Sequence, residues 1–475
     1  MIRGANSVRT AGRAVSARAA RHIWGATQQL DTLAIPLEVD SPAPPFVGAT
    51  PTKITVLSNG LKVASSDLVA PCTTVGVYVD SGSVNDTISG TSHLLQHMAF
   101  KSTEGMSTIA MVRGAEAIGA TASATSARET IVYQMDTLKE HVPEALDMLA
   151  ETILAPKFLP WELKEVAQAV SIELEEFSKL KQMLVQEMAH PAAFGGSSPL
   201  GKPLMCPPRN LSAITPEVLA SYVSERLTPD KLVVTAAGYD HDQLVSHAKA
   251  IFGGLAPGKP MATPPSNYEG GEMRTSADED LTHFALAFKG CGWKDEALVP
   301  FCVLNTLMGG GSSFSAGGPG KGMYTRLYQN ILNQHGYVQE ASVFNAFYKE
   351  TGLFGIYGAA PPEAMGILVS AVCDEFKKLS AAITDEELSR AKNQLKSSLL
   401  MNLEQRQILF EDIGRQVVTY GERVPAEKLV AQIDAVKASE LTSLAAKMLK
   451  SPPSIVAYGD TTSVPRYDVI AKQFA

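Results

Sequence analysis

Two stretches of the chain, TTVGVYVDSGSVND at residues 73–86 and THFALAFKGCGWKD at residues 282–295, show the same order of elements. Each reads as an apolar strand that leads through a glycine-containing turn to an aspartate, and a helical pattern follows each copy. The two halves also end alike, because residues 211–240 and 433–460 both predict a helix, a proline-marked turn and an apolar strand. An internal repeat outranks local patterns when architecture is assigned, so we predict a duplication.

The predicted fold class is α+β, with two homologous domains that each contain a mixed β-sheet covered by helices. We predict domains over residues 50–256 and 281–475, joined by a linker at 257–280 that is rich in proline, glycine and charge. Within the domains, Asn59-Gly60 predicts a hairpin over 53–65, and long helices are predicted over 161–190 and 385–420.

The first thirty residues contain no acidic residue and no lysine. They contain five arginines: Arg3, Arg9, Arg13, Arg18 and Arg21. A cationic segment rich in alanine and serine is typical of a mitochondrial transit peptide, so we predict a removable presequence over residues 1–33. A disordered basic tail is the alternative interpretation.

The composition restricts the class of partner. The formal charge of the chain is −8, and removing the five presequence arginines leaves 36 basic against 49 acidic residues, or −13. This charge argues against nucleic acid and favours a cationic partner, and a role in solubility alone is the alternative interpretation. The five cysteines form no C-x-x-C pair and are predicted to be free thiols, and no apolar run reaches the length of a membrane span.

The stretch His93-Leu94-Leu95-Gln96-His97 contains candidate zinc ligands and the position of a general base. Two histidines four residues apart on a helix share a face and can both bind one Zn²⁺. The inverted zincin pattern H-x-x-E-H has its general base one residue before the second histidine, and here that position is Gln96. An amide hydrogen-bonds but does not accept a proton near neutral pH, so the helix is predicted to lack its general base.

A third zinc ligand is expected from a carboxylate on another helix. The segment VAQAVSIELEEFSKL at 166–180 offers Glu173, Glu175 and Glu176, of which Glu173 and Glu176 share a helix face. We predict Glu173 as the third ligand, while a solvated acidic face and a histidine pair that only packs remain open alternatives.

A glycine-rich run at residues 309–322, with seven glycines in fourteen residues, is predicted to lack regular structure and to bind an extended peptide through its backbone. The predicted substrate-binding residues are Gly309, Gly310, Gly311, Ser312, Ser313, Phe314, Ser315, Gly317, Gly318, Gly320, Lys321 and Gly322. A phosphate loop is excluded because Gly322 stands where a serine or threonine must follow Lys321. A plain flexible linker is the other interpretation.

These motifs, together with GTSHLLQHMAFKST (90–103), EAIGATASATSARE (116–129), TGLFGIYG (351–358) and MNLEQRQILFEDIGRQVVTYGERVP (401–425), resemble the pitrilysin/insulinase family of zinc peptidases. Within that family the chain is similar to the α-type subunits of plants and algae, over about residues 50 to 470. The resemblance implies a heterodimer with a catalytic β-type subunit that carries the zinc, acting on Arg-rich presequences. By position, His93, His97 and Glu173 match the zinc ligands, and Gln96 matches the catalytic glutamate.

The resemblance further implies a non-catalytic, substrate-recognition role in the mitochondrial matrix or on the matrix face of the inner membrane. It leaves open whether this chain itself binds zinc. Two other functions also stay open: a structural core subunit of the mitochondrial ubiquinol–cytochrome c reductase, possibly combined with the first role, and a self-sufficient zinc endopeptidase in which another carboxylate replaces Gln96.

Overall fold

The computed structural model describes residues 51–68, 70–258, 263–313 and 322–474, and the predicted presequence over 1–33 lies outside these ranges. The described residues contain two six-stranded sheets. The strands of the first sheet are β1 (Lys53–Val56), β2 (Lys62–Ser66), β3 (Cys72–Val79), β4 (Thr121–Ser126), β5 (Ile131–Leu138) and β6 (Leu232–Ala237). The strands of the second sheet are β7 (Gly271–Ser276), β8 (Thr282–Lys289), β9 (Gly310–Ser312), β10 (Glu340–Phe347), β11 (Gly352–Ala360) and β12 (Ser454–Gly459).

The α-helices divide between the same two halves of the chain. Those of the first half are α1 (Thr91–His97), α2 (Thr108–Ala117), α3 (Val142–Leu154), α4 (Pro160–Lys179), α5 (Lys181–Phe194), α6 (Pro216–Arg226) and α7 (His241–Phe252). Those of the second half are α8 (Leu298–Met308), α9 (Met365–Ala381), α10 (Asp385–Leu403), α11 (Arg406–Tyr420), α12 (Ala426–Ala435), α13 (Ala438–Met448) and α14 (Tyr467–Ala471). None of the described helices is both long and apolar enough to span a bilayer.

The two sheets share the topology of five strands, β2-β6-β3-β5-β4 in the first and β7-β12-β8-β11-β10 in the second, and the sixth strand lies at opposite ends. The first has the order β1-β2-β6-β3-β5-β4 and the second β7-β12-β8-β11-β10-β9. Each contains one parallel pair, β2 with β6 and β7 with β12, and the remaining neighbours are antiparallel. In both sheets the first of the five shared strands therefore pairs in parallel with the last strand of its half. The predicted duplication and the predicted α+β class with mixed sheets are confirmed.

The two predicted long helices are each broken in two, so those predictions were wrong. Leu180 leaves helical geometry with ψ 73° between α4 and α5, and Gln405 is extended before α11. Neither break contains glycine or proline, which are the residues that normally end a helix. Tertiary packing sets the breaks instead, because each second segment crosses to the opposite half of the chain.

The crossing is reciprocal. Helix α5 of the first half packs through Val185 and Ala189 on residues of the second sheet that include Ala285 and Tyr357. Helix α11 of the second half packs through Phe410 and other apolar residues on the first sheet, on Tyr78 and its neighbours. Each half thus buries one face of the other half's sheet, and the halves interlock.

Buried polar contacts surround α5 at the same boundary, and one of them joins the two halves. The Arg128 side chain is 6% exposed and donates two hydrogen bonds of 2.9 Å to the Glu187 carboxylate on α5. On the same helix, His190 Nε2 lies 2.6 Å from the hydroxyl of Tyr348, which follows β10. Burial lowers the pKa of His190 well below its ordinary value, so the ring is neutral in this contact.

The predicted linker at 257–280 contains an element that its composition did not indicate. Residues 271–276 form β7, which pairs in parallel with β12 at the edge of the second sheet. The strand GEMRTS is mostly polar, and it lacks the apolar alternation of a half-buried strand. The domain limits of 50–256 and 281–475 remain a proposal, and β7 favours a second domain that begins before residue 281.

Candidate functional site

Helix α1 places His93 and His97 on one face at the edge of the first sheet. The helix has only seven residues, and its start is held by Asp86, whose carboxylate accepts hydrogen bonds from the backbone N–H of Gly90 at 2.9 Å and of Ser92 at 3.1 Å. Burial raises the pKa of Asp86 to about 7. A carboxylate at a helix N-terminus satisfies otherwise unpaired N–H groups, which explains why so short a helix is stable.

The structure brings the three predicted ligands together. The Oε2 atom of Glu173, on α4, lies 2.8 Å from Nε2 of His97 and 3.5 Å from Nε2 of His93. None of these three buried atoms has a partner in hydrogen-bond geometry, and all three face a shared point. Glu175 and Glu176 are exposed, and Glu176 pairs with Lys179.

Among the described residues this is the one cluster of three metal-ligating side chains, with its ligand atoms within 4.8 Å of one another. Two imidazoles and one carboxylate are a donor set of catalytic zinc sites. The residue types and the convergence of these atoms therefore match the donor set of a zinc site, at which a metal would supply a polarised water. Burial, and to a smaller extent the neighbouring His97, lower the pKa of His93 below its ordinary value. The ring is therefore neutral, as a metal ligand must be.

Gln96 has a structural contact of its own. Its side-chain oxygen accepts a 2.7 Å hydrogen bond from the backbone N–H of Ser126, the last residue of β4. The amide therefore ties α1 to the edge of the first sheet, while it offers no group that can take a proton from water. The sequence did not indicate this contact, because the donor is a backbone amide and not a side chain.

Strand β4 forms the end of the first sheet and pairs only with β5 within the described residues. Its sequence TASATS contains only small, uncharged side chains. The first five residues alternate between exposed and half-buried, and the last, Ser126, is buried. A free strand edge offers unpaired N–H and C=O groups to which an extended peptide can add. This edge adjoins the helix that carries the histidines.

No equivalent of the histidine site occurs among the residues of the second half that the structure describes. Cys302 and Thr306 occupy the corresponding positions on α8, where the Thr306 hydroxyl donates to the Cys302 carbonyl oxygen at 3.0 Å. Burial raises the pKa of Cys302 to about 11, so its thiol is neutral. Asp295 repeats the helix-starting role of Asp86 and accepts a 2.9 Å hydrogen bond from the Ala297 N–H.

The glycine-rich run is described only at its two ends. Residues 310–312 form the edge strand β9 on β10, so the prediction of no regular structure was wrong for these residues. Gly310 has φ +104°, and an added Cβ would lie 2.1 Å from the Ala341 carbonyl oxygen, which explains why glycine is needed there. The remaining predicted loop residues, Phe314, Ser315, Gly317, Gly318, Gly320 and Lys321, lie outside the described residues.

Thr325 joins the two ends of this loop, and the sequence analysis had not singled it out. Its hydroxyl accepts a hydrogen bond from the Gly310 N–H at 3.2 Å and donates one to the Gly322 carbonyl oxygen at 2.7 Å. The ends of the loop are thus anchored side by side. A threonine close to a glycine-rich run was the only sequence signal for this role.

Comparisons of the sequence with known proteins show the family of the chain. Residues 62–208 match the family model "Insulinase (Peptidase family M16)", and residues 213–395 match "Peptidase M16 inactive domain". The chain is 41% identical over 451 residues to the mitochondrial-processing peptidase subunit alpha of Solanum tuberosum, covering 92% of this chain and 88% of that protein.

Two further relatives carry the same subunit name. A probable mitochondrial-processing peptidase subunit alpha-1 of Arabidopsis thaliana is 38% identical over 95% of this chain and 90% of its own length. The mitochondrial-processing peptidase subunit alpha of Homo sapiens is 35% identical over 88% of this chain and 84% of its own length. Because two family models match residues 62–208 and 213–395 and the relatives span nearly the whole chain, the protein belongs to the insulinase family, peptidase family M16.

Proposed function

We propose that this chain is the substrate-recognition subunit of a mitochondrial processing peptidase, without hydrolytic activity of its own. The observation that carries the proposal is Gln96, which stands at the position of the general base and has its side-chain oxygen occupied by the Ser126 N–H. Loss of a general base costs about 10² to 10⁴ in rate. Peptide binding, in contrast, needs no proton acceptor, so the site is suited to holding substrate.

A catalytic partner completes the activity. The relatives are named as alpha subunits, which supports a heterodimer with a β-type subunit that bears a complete zinc site. In this proposal the zinc needed for cleavage is on the partner, and the complex resides in mitochondria, in the matrix or at the matrix face of the inner membrane.

The recognised substrate is an extended, Arg-rich presequence. The free edge of β4, with its small side chains, accommodates an extended chain without steric selection. An excess of 49 acidic over 41 basic residues attracts a cationic peptide. The glycine-rich loop, anchored by Thr325, supplies a second backbone surface that contacts the incoming peptide.

The test is cleavage of a peptide comprising residues 1–40 of this chain by the isolated chain, by a β-type subunit and by both together. We expect cleavage only by the pair, and robust chelator-sensitive cleavage by the isolated chain would refute the proposal. A Gly310→Ala variant in the pair is expected to raise KM because its Cβ clashes with the Ala341 carbonyl oxygen. The matched control is Gly336→Ala, whose Cβ meets no atom within 4 Å.

Two further measurements separate the alternative functions. A large gain in single-chain activity on Gln96→Glu substitution would favour a self-sufficient peptidase whose site is otherwise intact. Copurification of the chain with cytochrome b would favour a core subunit of the ubiquinol–cytochrome c reductase, alone or in addition to processing.

A further inference from the structure

The outer ring nitrogen of His93, which is Nδ1 and not the Nε2 that faces Glu173, lies next to a hydrogen-bond donor. The backbone N–H of Cys206 donates to Nδ1 of His93 at an N–N distance of 3.3 Å. Both residues are buried, with His93 3% and Cys206 0% exposed. Water therefore does not compete for this contact, and the ring nitrogen must act as the acceptor.

The positions of both groups are set by their surroundings. A Cβ added to Gly90, which precedes α1, would lie 2.4 Å from the Cys206 Cα and Cβ atoms, so the Cys206 backbone packs directly against the start of the helix. Asn210 donates a 2.9 Å hydrogen bond to the Ser89 carbonyl oxygen and holds the same segment from its other side. The N–H of Cys206 is thus fixed relative to the ring.

A neutral imidazole has one proton for two nitrogens. If Nδ1 accepts from Cys206, the proton is on Nε2, the atom that points toward His97 and Glu173. Zinc binding at Nε2 requires the opposite tautomer, with the proton on Nδ1. Two N–H groups would then face each other, and the Cys206 N–H would lose its acceptor. Metal-bound histidines almost always show the reverse arrangement, in which the outer N–H donates to a carbonyl or a carboxylate.

We propose that the backbone N–H of Cys206 holds His93 in the tautomer with its proton on Nε2 and so opposes zinc binding at His93, His97 and Glu173. This inference deepens the proposed function, because it gives the subunit a second defect that is independent of Gln96. Zinc is expected to bind this chain about 10- to 100-fold more weakly than a comparable site whose outer nitrogen meets an acceptor. Restoring the base at Gln96 alone then leaves the metal poorly held.

The direct test is nitrogen NMR of the full chain, labelled with ¹⁵N in its histidines and stripped of metal. The two neutral tautomers differ in their ¹⁵N shifts, and a His93→Asn variant identifies the His93 signals. We expect the proton of His93 on Nε2 in the metal-free chain. A proton on Nδ1 would overturn the proposal, and this measurement needs no variant of Cys206.

A zinc titration against a competing chelator gives the second readout. Cys206→Pro removes the N–H, and we expect it to tighten zinc binding at least several-fold, whereas Cys206→Ala keeps the N–H and should leave the affinity unchanged. Equal zinc affinity of a folded Cys206→Pro chain and the unaltered chain would overturn the proposal. If the proline variant does not fold, the NMR measurement decides.

An isolated chain that is silent on presequence peptides but has His93 protonated on Nδ1 would refute only the tautomer argument. An isolated chain that cleaves these peptides would refute the proposed function, whatever the tautomer.

Discussion

Substitution of Gly414 by alanine tests whether the two halves interlock through their exchanged helices. Gly414 is buried in α11, and a Cβ there would lie 2.0, 2.3 and 2.4 Å from three atoms of the Tyr78 ring in the first sheet. Ordinary contacts begin near 3.4 Å, so the ring would have to move by about 1.4 Å. Tyr78 is 3% exposed and packs on Phe410 with ring centroids 5.3 Å apart, which leaves no space for this movement.

Overpacking of this kind costs about 1–3 kcal/mol, and we take the upper end because the ring is enclosed. Alanine is better than glycine in a helix by up to about 1 kcal/mol, so the expected net loss for Gly414→Ala is about 2 kcal/mol. Gly366→Ala in α9 is the matched control, since its Cβ first meets an atom, the Ser463 carbonyl oxygen, at 3.6 Å. It should be neutral or slightly stabilising.

Equilibrium unfolding in guanidinium chloride, followed by circular dichroism, measures both variants. If α11 did not cover the first sheet, Gly414 would be an ordinary helical glycine and alanine would stabilise the chain at both positions. A Gly414→Ala chain as stable as the Gly366→Ala chain would therefore refute the interlocked arrangement.

Three other predictions follow from buried charges and from the metal. Glu187→Gln leaves the buried Arg128 guanidinium without its countercharge and should lower the free energy of unfolding by about 3 kcal/mol. The control Glu175→Gln, at an exposed position, should change the free energy of unfolding by less than about 0.5 kcal/mol. Equal unfolding midpoints for the two variants would contradict this prediction. Burial raises the pKa of Glu129 to about 7, so the folded chain keeps a proton that the unfolded chain releases, and this contribution to stability is lost as pH rises toward and through 7. Glu129→Gln should therefore flatten the fall in unfolding midpoint between about pH 5 and pH 8, and an unchanged slope would contradict the assignment. A zinc chelator should abolish cleavage by the reconstituted pair and leave the unfolding midpoint of the isolated chain unchanged, because the zinc needed for cleavage is proposed to be on the partner. A drop in the midpoint would contradict this, since it would show that a bound metal stabilises this chain.

The parts of the structure that repeat were predictable, since the same residue pattern occurs twice. The strand and turn at 73–86 and its copy at 282–295 occupy equivalent places in the two sheets. The helix breaks were not predictable, because Leu180 and Gln405 are compatible with a continuous helix. Strand β7 was missed for a related reason, since an edge strand with polar residues shows no apolar alternation.

The candidate site shows the same division. The pairing of His93 with His97 and the exclusion of Glu175 followed from helix periodicity, while the match of Glu173 to a zinc ligand was implied by the family resemblance. The structure places His93, His97 and Glu173 together. The contacts made by backbone amides, from Ser126 to Gln96 and from Cys206 to His93, had no sequence signal. Every residue except proline has an N–H, so its presence in the sequence says nothing about where it points.

The sequence by itself determined that the chain is a duplication, that one copy has a histidine pair, and that an amide replaces the proton acceptor, because these depend only on residue type and period. Only the tertiary structure decided that α5 and α11 cross between the halves and that the Cys206 N–H meets His93. Those features depend on which surfaces must be buried against each other and on the direction of backbone groups, and neither is a property of any single stretch of sequence.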